Sequence, residues 1–380
     1  MSALPTWLLR LIFALIVLVP ATVTAKTFEV LHEFAGGFGG AKSVIWDDPG
    51  PLTIGPTGLI YGIDPELSGT KDVCFGYVYS LDPISRKLKI LHKFCATDAP
   101  YGAEPVGGLT FGDDGMIYGL TFAFSTTGFP AIYRLNPVTG AVIYLATLNI
   151  EGAPSGKMTF AKGFLYGSLY YLQGVVFKFD IAKRAFSRLH TFQGRTSQVL
   201  FRDGALYGTT YSSSGRDTVY KLDISTKRLT TLYSFAVDSA LPDPYPTGGV
   251  IFKEGALYGT TQYTSIAGAA GYGTIFKIDI FTGKKTTLHV FDQRDGSMPS
   301  YPLVSGPGSD LFGVTMTNIF KFDLSANKIT VLYRPNPRGQ ASPPSSDLAI
   351  SKSGVLYGTA GPGVYGAGES LNEAIYRLTP

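Results

Sequence analysis

Histidine and cysteine are scarce in this chain, with four and two copies in 380 residues, so each can be judged individually by where it falls. Charge is scarce too. Only 16% of residues are charged, and 32 Lys+Arg against 28 Asp+Glu leave a net +4, too weak a bias for a polyanion; nucleic acid is not an expected partner. With 45% hydrophobic and 13% aromatic residues, the same composition excludes disorder and allows a sizeable core. No second long apolar run follows the one at the N-terminus, so no membrane span is expected once that segment is removed. The chain also lacks any Asn-x-Ser/Thr acceptor site, which is compatible with a bacterial product.

The N-terminus reads as an export signal. Arg10 precedes the apolar run Leu11–Val19, Pro20 interrupts it, and the small residues end in Val23-Thr24-Ala25. Cleavage is expected after Ala25, which leaves residues 26–380 as a mature protein in the periplasm or outside the cell. An uncleaved anchor is the alternative, but the run falls short of the roughly 20 apolar residues a spanning helix needs.

What the chain has in abundance is repetition. "GALYGTT" is written at Gly204–Thr210 and again at Gly255–Thr261, and relaxed copies centre on Tyr61, Tyr118, Tyr166, Phe312 and Tyr357. The mean period is about 49 residues, in the range of propellers and solenoids. Each copy is followed by a β-branched and aromatic string, such as "TVYKLD" (Thr218–Asp223) and "TIFKID" (Thr274–Asp279). A tight turn then leads to a third string, such as "KLKILHKF" (Lys87–Phe94) or "KKTTLHVF" (Lys284–Phe291). A short apolar run before each copy, such as "VIF" at Val250–Phe252, completes four strands per unit, which is one propeller blade.

The chain stops at Pro380 after its seventh "AIYRLT", with no outer strand, while an orphan outer strand, "FEVLHEF" (Phe28–Phe34), sits just after the signal. A ring uses that displacement and an open solenoid does not. The expectation is an all-β, seven-bladed propeller in one domain, closed by the N-terminal strand. The strings "GALYGTT", "TVYKLD" and "TIFKID" resemble the repeat of the GloVer tandem-repeat (choice-of-anchor) proteins, which reads like "LYGTT … GTVFKLD … LHSF"; the resemblance implies this architecture and export from a bacterial cell. The paired glycines that follow LYGTT in that family survive only partly, at Gly215 and at Gly268 with Gly271.

Alternation along L-Y-G-T-T puts the Tyr and the first Thr on one strand face and the Gly on the other. A strand glycine marks a close approach, and the expected occupant is an aromatic ring from the neighbouring blade. The motif is thus read as packing. All four histidines, His32, His92, His190 and His289, share one repeat column on the outer strand, where other blades carry Ala146, Tyr233 and Tyr333. Side chains spread around a rim cannot converge on one substrate, so neither a His-based triad nor a metal or cofactor site is expected. The Lys/Arg column from Arg134 to Arg377 is read as snorkelling or paired side chains.

By strand direction, the long second-to-third and blade-to-blade connections emerge on one face, the functional candidate. Its aromatics suit a sugar ring or an extended peptide and equally suit loop packing. The expected ligand-binding residues are Tyr211, Arg216, Tyr263 and Tyr272, since blades 4 and 5 keep the repeat while lengthening that loop. Two functions follow: a monomeric, non-catalytic binding or scaffold propeller for a glycan or protein, or a carbohydrate-active enzyme. The latter would be a glycoside hydrolase or polysaccharide lyase using a loop carboxylate, Asp217 or Asp243, with a Tyr or Arg.

The register that faces Asp82 to Lys87 across the outer hairpin of blade 1 also faces Cys74 to Cys95. Opposed strand residues have Cα atoms about 4.5–5.5 Å apart, inside the disulfide range, and an exported protein meets oxidising conditions. Mass spectrometry of native, unreduced protein should find no free thiol, and reduction should loosen blade 1 while the others stay folded; two alkylatable cysteines would contradict the pairing.

Overall fold

A computed structural model of the chain describes residues 27–34, 50–64, 74–95, 104–122, 129–150, 152–170, 173–211, 217–235, 245–246, 248–263, 265–266, 269–334, 344–361 and 373–380. Seven antiparallel sheets form a ring, and the proposed export signal lies outside the described residues. In blade 5 the strands are Val250–Lys253, Ala256–Thr261, Thr274–Asp279 and Lys285–Val290, in that order from the axis outward. Blades 3 and 4 break the inner strand into two pieces, Ala153–Pro154 with Thr159–Ala161 and Arg195–Thr196 with Leu200–Arg202. In blade 7 the outermost strand is the N-terminal one: Thr27–Glu33 pairs with Ala374–Thr379.

Each letter of L-Y-G-T-T has a structural role. The leucines Leu206 and Leu257 are fully buried. The tyrosine reaches the inner strand of the next blade: Tyr61 meets Phe111, Tyr118 meets Phe160 and Tyr166 meets Phe201, with ring centroids 5.1, 6.2 and 5.3 Å apart. On the same face the first hydroxyl of the Thr pair also crosses between blades. Thr209 donates to the Pro246 carbonyl, and Ser168, its counterpart in blade 3, donates to the Ser197 carbonyl at 2.7 Å. The second threonine stays within its blade, with Thr210 and Thr261 sharing hydrogen bonds with Thr218 and Thr274, both at 2.8 Å.

The glycine corrects one expectation. Its occupant is an aromatic ring, but the ring belongs to the same blade. Gly62, Gly119, Gly167, Gly208, Gly259, Gly313 and Gly358 face Tyr79, Tyr133, Phe177, Tyr220, Phe276, Phe320 and Tyr376 directly across the second and third strands. A Cβ on Gly119 would lie 2.3 Å from the Tyr133 hydroxyl oxygen, and one on Gly313 2.4 Å from Phe320 Cζ. A ring of this size fits flat over the facing strand only where that strand has no side chain. The neighbouring blade instead holds the ring down from its other side. Phe94 packs on Tyr133, Phe192 on Tyr220, Phe235 on Phe276 and Phe291 on Phe320, with centroids 4.7 to 5.5 Å apart.

These phenylalanines come from the Leu-His-x-Phe string, and a β-bulge aims them. In every blade the leucine of that string is the extra residue where the outer strand slips against the third: Leu91, Leu145, Leu189, Leu232, Leu288, Leu332 and, in the N-terminal strand, Leu31. The bulge bends the strand and lets the leucine and the later phenylalanine both turn inward. Histidine falls between them and sits edge-on to its phenylalanine, at 4.8 Å for His32–Phe34 and His92–Phe94 and 4.6 Å for His190–Phe192. Tyr233 does the same to Phe235 at 5.0 Å, which identifies the column as packing.

In blade 1 the bulge at Leu91 shifts the register by one residue, and a second irregularity between Cys74 and Tyr77 shifts it back. Cys74 therefore meets Cys95 as the uninterrupted register expects, and the two form a disulfide. Closure of the ring also uses side chains. Phe34 packs on Tyr79 of blade 1 at 5.7 Å, Phe28 stacks on Tyr333 of blade 6 at 3.7 Å, and Glu29 pairs with both Arg377 and Arg86.

Gly119→Ala should cost about 1–3 kcal/mol by overpacking, although its backbone lies outside the left-handed region. With Tyr133 truncated to alanine the same change should cost nothing, so denaturant melts of the two singles and the double should be strongly non-additive; additive losses would separate glycine from ring. A second measurement concerns the histidines. Burial lowers the pKa of His190 and, against the opposing charge of Glu33, of His32. The folded state then binds fewer protons than the unfolded one as pH drops through the ordinary value of about 6.5, so stability is lost on acidification through that window and down to the folded pKa. His190→Tyr, the residue blades 4 and 6 already use, should flatten that slope in melting temperature against pH.

Candidate functional site

The two faces of the ring differ in what their side chains are committed to. On the tight-turn face, the Asp or Asn at the end of the third strand in blades 1 to 6 caps its own turn. The Asp223 carboxylate accepts the amide protons of Ser225 and Thr226 at 3.0 and 2.8 Å, and Asp279 accepts those of Phe281 and Thr282. These bonds stabilise the ionised form and hold the carboxyls of Asp223 and Asp323 down at about 2. The Lys/Arg column faces the motif aromatics across the same strand pair, as Arg134 faces Tyr118 and Lys277 faces Tyr258. Two of its charges pair with acids, Lys321 with Asp310 at 3.3 Å and Arg377 with Glu29, and two lie over rings, Lys178 over Phe164 at 3.6 Å and Lys277 over Tyr258 at 5.9 Å.

The opposite face carries the loops. Tyr211 ends the second strand of blade 4, is half-buried, and lies across from Arg195, whose guanidinium stands 5.1 Å over the ring of Tyr170. Phe122, Tyr170 and Tyr211 end the second strands of three consecutive blades, so they form a half-buried aromatic row. In blade 5, Tyr263 meets Tyr245 edge-on at 5.8 Å, and Tyr272 accepts a hydrogen bond from the Gln293 amide. A short ribbon, Ser265–Ile266 with Ala269–Ala270, stands between those two tyrosines in the chain. Tyr263 and Tyr272 are thus each tied to a blade-to-blade connection, and among the described residues no ring contact joins either to Tyr211. Arg216 and Asp243 lie outside the described residues.

Buried acids gather at the loop ends of strands. Asp64, Glu104, Asp217 and Glu373 are each under 5% exposed. The Tyr77 hydroxyl donates to Asp64 at 2.5 Å, and the Asp217 carbonyl accepts the Phe235 amide proton at 2.9 Å. Asp217 and Glu373 occupy the position before the third strand where other blades have Gly76, Gly174 and Gly273. Among the described residues no three His, Cys, Asp or Glu side chains come together as metal ligands would, and no helix is long and apolar enough to cross a membrane.

The sequence reading missed the axis. A cavity of about 360 Å³ lies against the inner strands of blades 1 to 5, lined by Thr53, Thr110, Phe111, Lys157, Thr159, Phe160, Gln198, Leu200 and Ile251 among others. Thr53, Thr110 and Thr159 close the gaps between inner strands by donating to the carbonyls of Leu109, Met158 and Val199 in the next blade. The sequence did hold a signal for this region. Two residues before each of these threonines and their counterparts stand Pro51, Gly108, Lys157, Gln198, Gly249, Pro302 and Asp347, a column of Gly and Pro broken by three polar side chains. Asp347 is buried, and burial raises its pKa against the opposing pull of Lys157.

The fold is shared with many solved structures. The extracellular domain of a hybrid two-component system from B. thetaiotaomicron superposes with a TM-score of 0.63 at 10% identity, covering 92% of this chain and 39% of that one. An oligogalacturonate lyase from Vibrio parahaemolyticus gives a TM-score of 0.58 at 11% identity, covering 93% and 96%. The RRP9 WD40 repeats give 0.55 at 13%, covering 92% and 96%. At such identities the likeness is one of fold alone. No curated protein sequence matches the chain. The sequence pattern of the Gloeobacter/Verrucomicrobia repeat does match, over residues 169–376, and the chain belongs to that repeat family.

Proposed function

We propose that the chain is an exported, monomeric, non-catalytic binding or scaffold propeller that holds a glycan or a protein on its long-loop face, without a cofactor. One observation carries the reading: the half-buried aromatics Tyr211 and Tyr263 stand outside the interlocked ring-on-glycine packing, and half-buried Tyr272 packs at the edge of the core that holds Phe291 and Phe320, all at the face where the connections are long. Rings half open to solvent beside guanidinium and amide groups offer a stacking surface with polar edges, which suits a sugar face or an extended peptide. Export to the periplasm or beyond is supported by the leader at residues 1–25 and by the Cys74–Cys95 bridge, which forms under oxidising conditions. The choice-of-anchor relationship belongs to the same reading. The hydrolase or lyase alternative is less well supported, because Asp217 has no accessible surface from which to reach a glycan.

A glycan array and peptide library should identify the ligand. Alanine at Tyr211, Arg216, Tyr263 or Tyr272 should then weaken it by about 1 kcal/mol each, roughly fivefold in calorimetry, with the melting temperature unchanged. Alanine at His289 should leave affinity alone. Turnover of a glycan that Asp217→Asn abolishes while sparing affinity would favour the enzyme instead.

A further inference from the structure

The outer hairpin turn of blades 1 to 6 is one structure written six times, so whatever varies in it is not demanded by the turn. Four residues after the capping Asp or Asn comes a left-handed position, held by Arg86, Gly140, Arg184, Lys227, Gly283 and Asn327 with φ of 58°, 76°, 50°, 56°, 68° and 48°. Glycine and asparagine suit that conformation, and blades 2, 5 and 6 use them. Blades 1, 3 and 4 hold a long cation there against the preference of the backbone. Strain of this kind persists where the side chain serves something other than the turn.

Further cations surround them. Lys87, Arg228, Lys284 and Lys328 take the next position, Lys183 precedes Arg184, and all are exposed. Arg86 shares Glu29 with Arg377 and Lys183 lies 3.9 Å from Asp180, but among the described residues Lys87, Arg184, Lys227, Arg228, Lys284 and Lys328 form no ion pair. The exposed acids of this face are fewer: Asp113 and Asp114 in blade 2, Glu254, and Asp203, which Arg202 neutralises at 3.1 Å. The same turns also carry apolar tips. Two residues after the cap stand Ile84, Val138 and Phe281, 89%, 78% and 88% exposed, where blades 3, 4 and 6 have Ala182, Ser225 and Ser325. They are the most exposed large apolar side chains among the described residues. Blades 1 and 2 lie across the ring from blade 5, so the three tips define a plane.

We infer that the tight-turn face docks flat on a membrane surface of anionic lipid, with Ile84, Val138 and Phe281 entering between the headgroups and the cations around them pairing with lipid phosphates. Apolar tips set among cations match an interface of negative headgroups over hydrocarbon. A soluble polyanion would leave the tips in water, and Ile84 and Val138 have no ring to stack on a base. The chain's net charge of +4 conceals this face, because acids such as Asp64, Glu104, Asp217 and Glu373 gather at the opposite one. The inference does not rest on the long-loop ligand. Docking by the turns leaves the long-loop face pointing away from the bilayer and open.

The mature chain, residues 26–380, should float with vesicles of equimolar phosphatidylglycerol and phosphatidylcholine at about 0.1 M salt, stay behind with pure phosphatidylcholine, and be largely released at about 1 M salt. Replacing both Arg184→Gly and Lys227→Gly should lower vesicle affinity at least about tenfold, at roughly fivefold per cation, without lowering the melting temperature, since glycine suits both positions. Ile84→Ser with Phe281→Ser should weaken it by a similar factor, and Phe281→Trp should shift its emission to the blue on the anionic vesicles. Tyr211→Ala should float like the parent, which separates this surface from the long-loop face. No flotation with the anionic vesicles, or undiminished flotation of the glycine double variant, overturns the inference. Undiminished binding by the serine double variant overturns it too, because a soluble polyanion such as nucleic acid would need the cations alone.

Discussion

An aromatic ring lying on a facing glycine is the contact the rest of the ring is built around. It joins the second and third strands in the middle of each blade, seven times. The glycine removes a side chain so that a ring can approach the backbone, and the ring restores the burial that glycine forfeits. In blades 1, 2, 4, 5 and 6 the outer strand of the preceding blade then supplies a phenylalanine that rests on that ring, aimed there by the leucine bulge, and in blade 3 Leu148 takes its place in the core around Phe177. Tyrosine on the opposite strand face reaches forward to the next inner strand. Each blade therefore grips both neighbours with different residues, and no blade can be removed without exposing a stripe of aromatic surface.

This explains why the N-terminal strand is indispensable to the architecture. The last blade ends at its third strand, so the Tyr376 ring and the Gly358 beneath it need an outer strand from elsewhere. The N-terminal strand supplies Leu31 for the bulge, Phe34 for the Tyr79 ring of blade 1 and Phe28 against Tyr333 of blade 6. It thus contacts three blades at once. The Glu29 pairs with Arg377 and Arg86 are half-exposed and set register more than they stabilise.

A repeat that assigns a packing role to nearly every column also isolates what packing does not need. The histidines are accounted for by their phenylalanines, the strand-ending aspartates by their turns, and the basic column by facing aromatics or acids. What is left over is of two kinds: half-buried aromatics on the long-loop face, and exposed cations with apolar tips on the tight turns. Both are departures from the consensus, which is where function can vary without loosening the ring.

The sequence alone determined the number of blades, the closing strand and the cysteine pair, because each depends on period, order and register along the chain. Strand alternation also sorted Tyr207 and Thr209 onto one face and Gly208 onto the other. It could not say which ring covers the glycine, because a ring across the same sheet and a ring from the next sheet satisfy the same alternation; only the observed pairing of Gly208 with Tyr220 decides. The cysteine register held for a reason invisible in the letters, two slips of opposite sense that cancel between Tyr79 and Cys74. The axial cavity was beyond the sequence for a similar reason. Lys157 and Gln198 are neighbours only because blades 3 and 4 bring their inner strands side by side, and the burial of Asp217 follows from how the blades pack, which repetition in the chain does not specify.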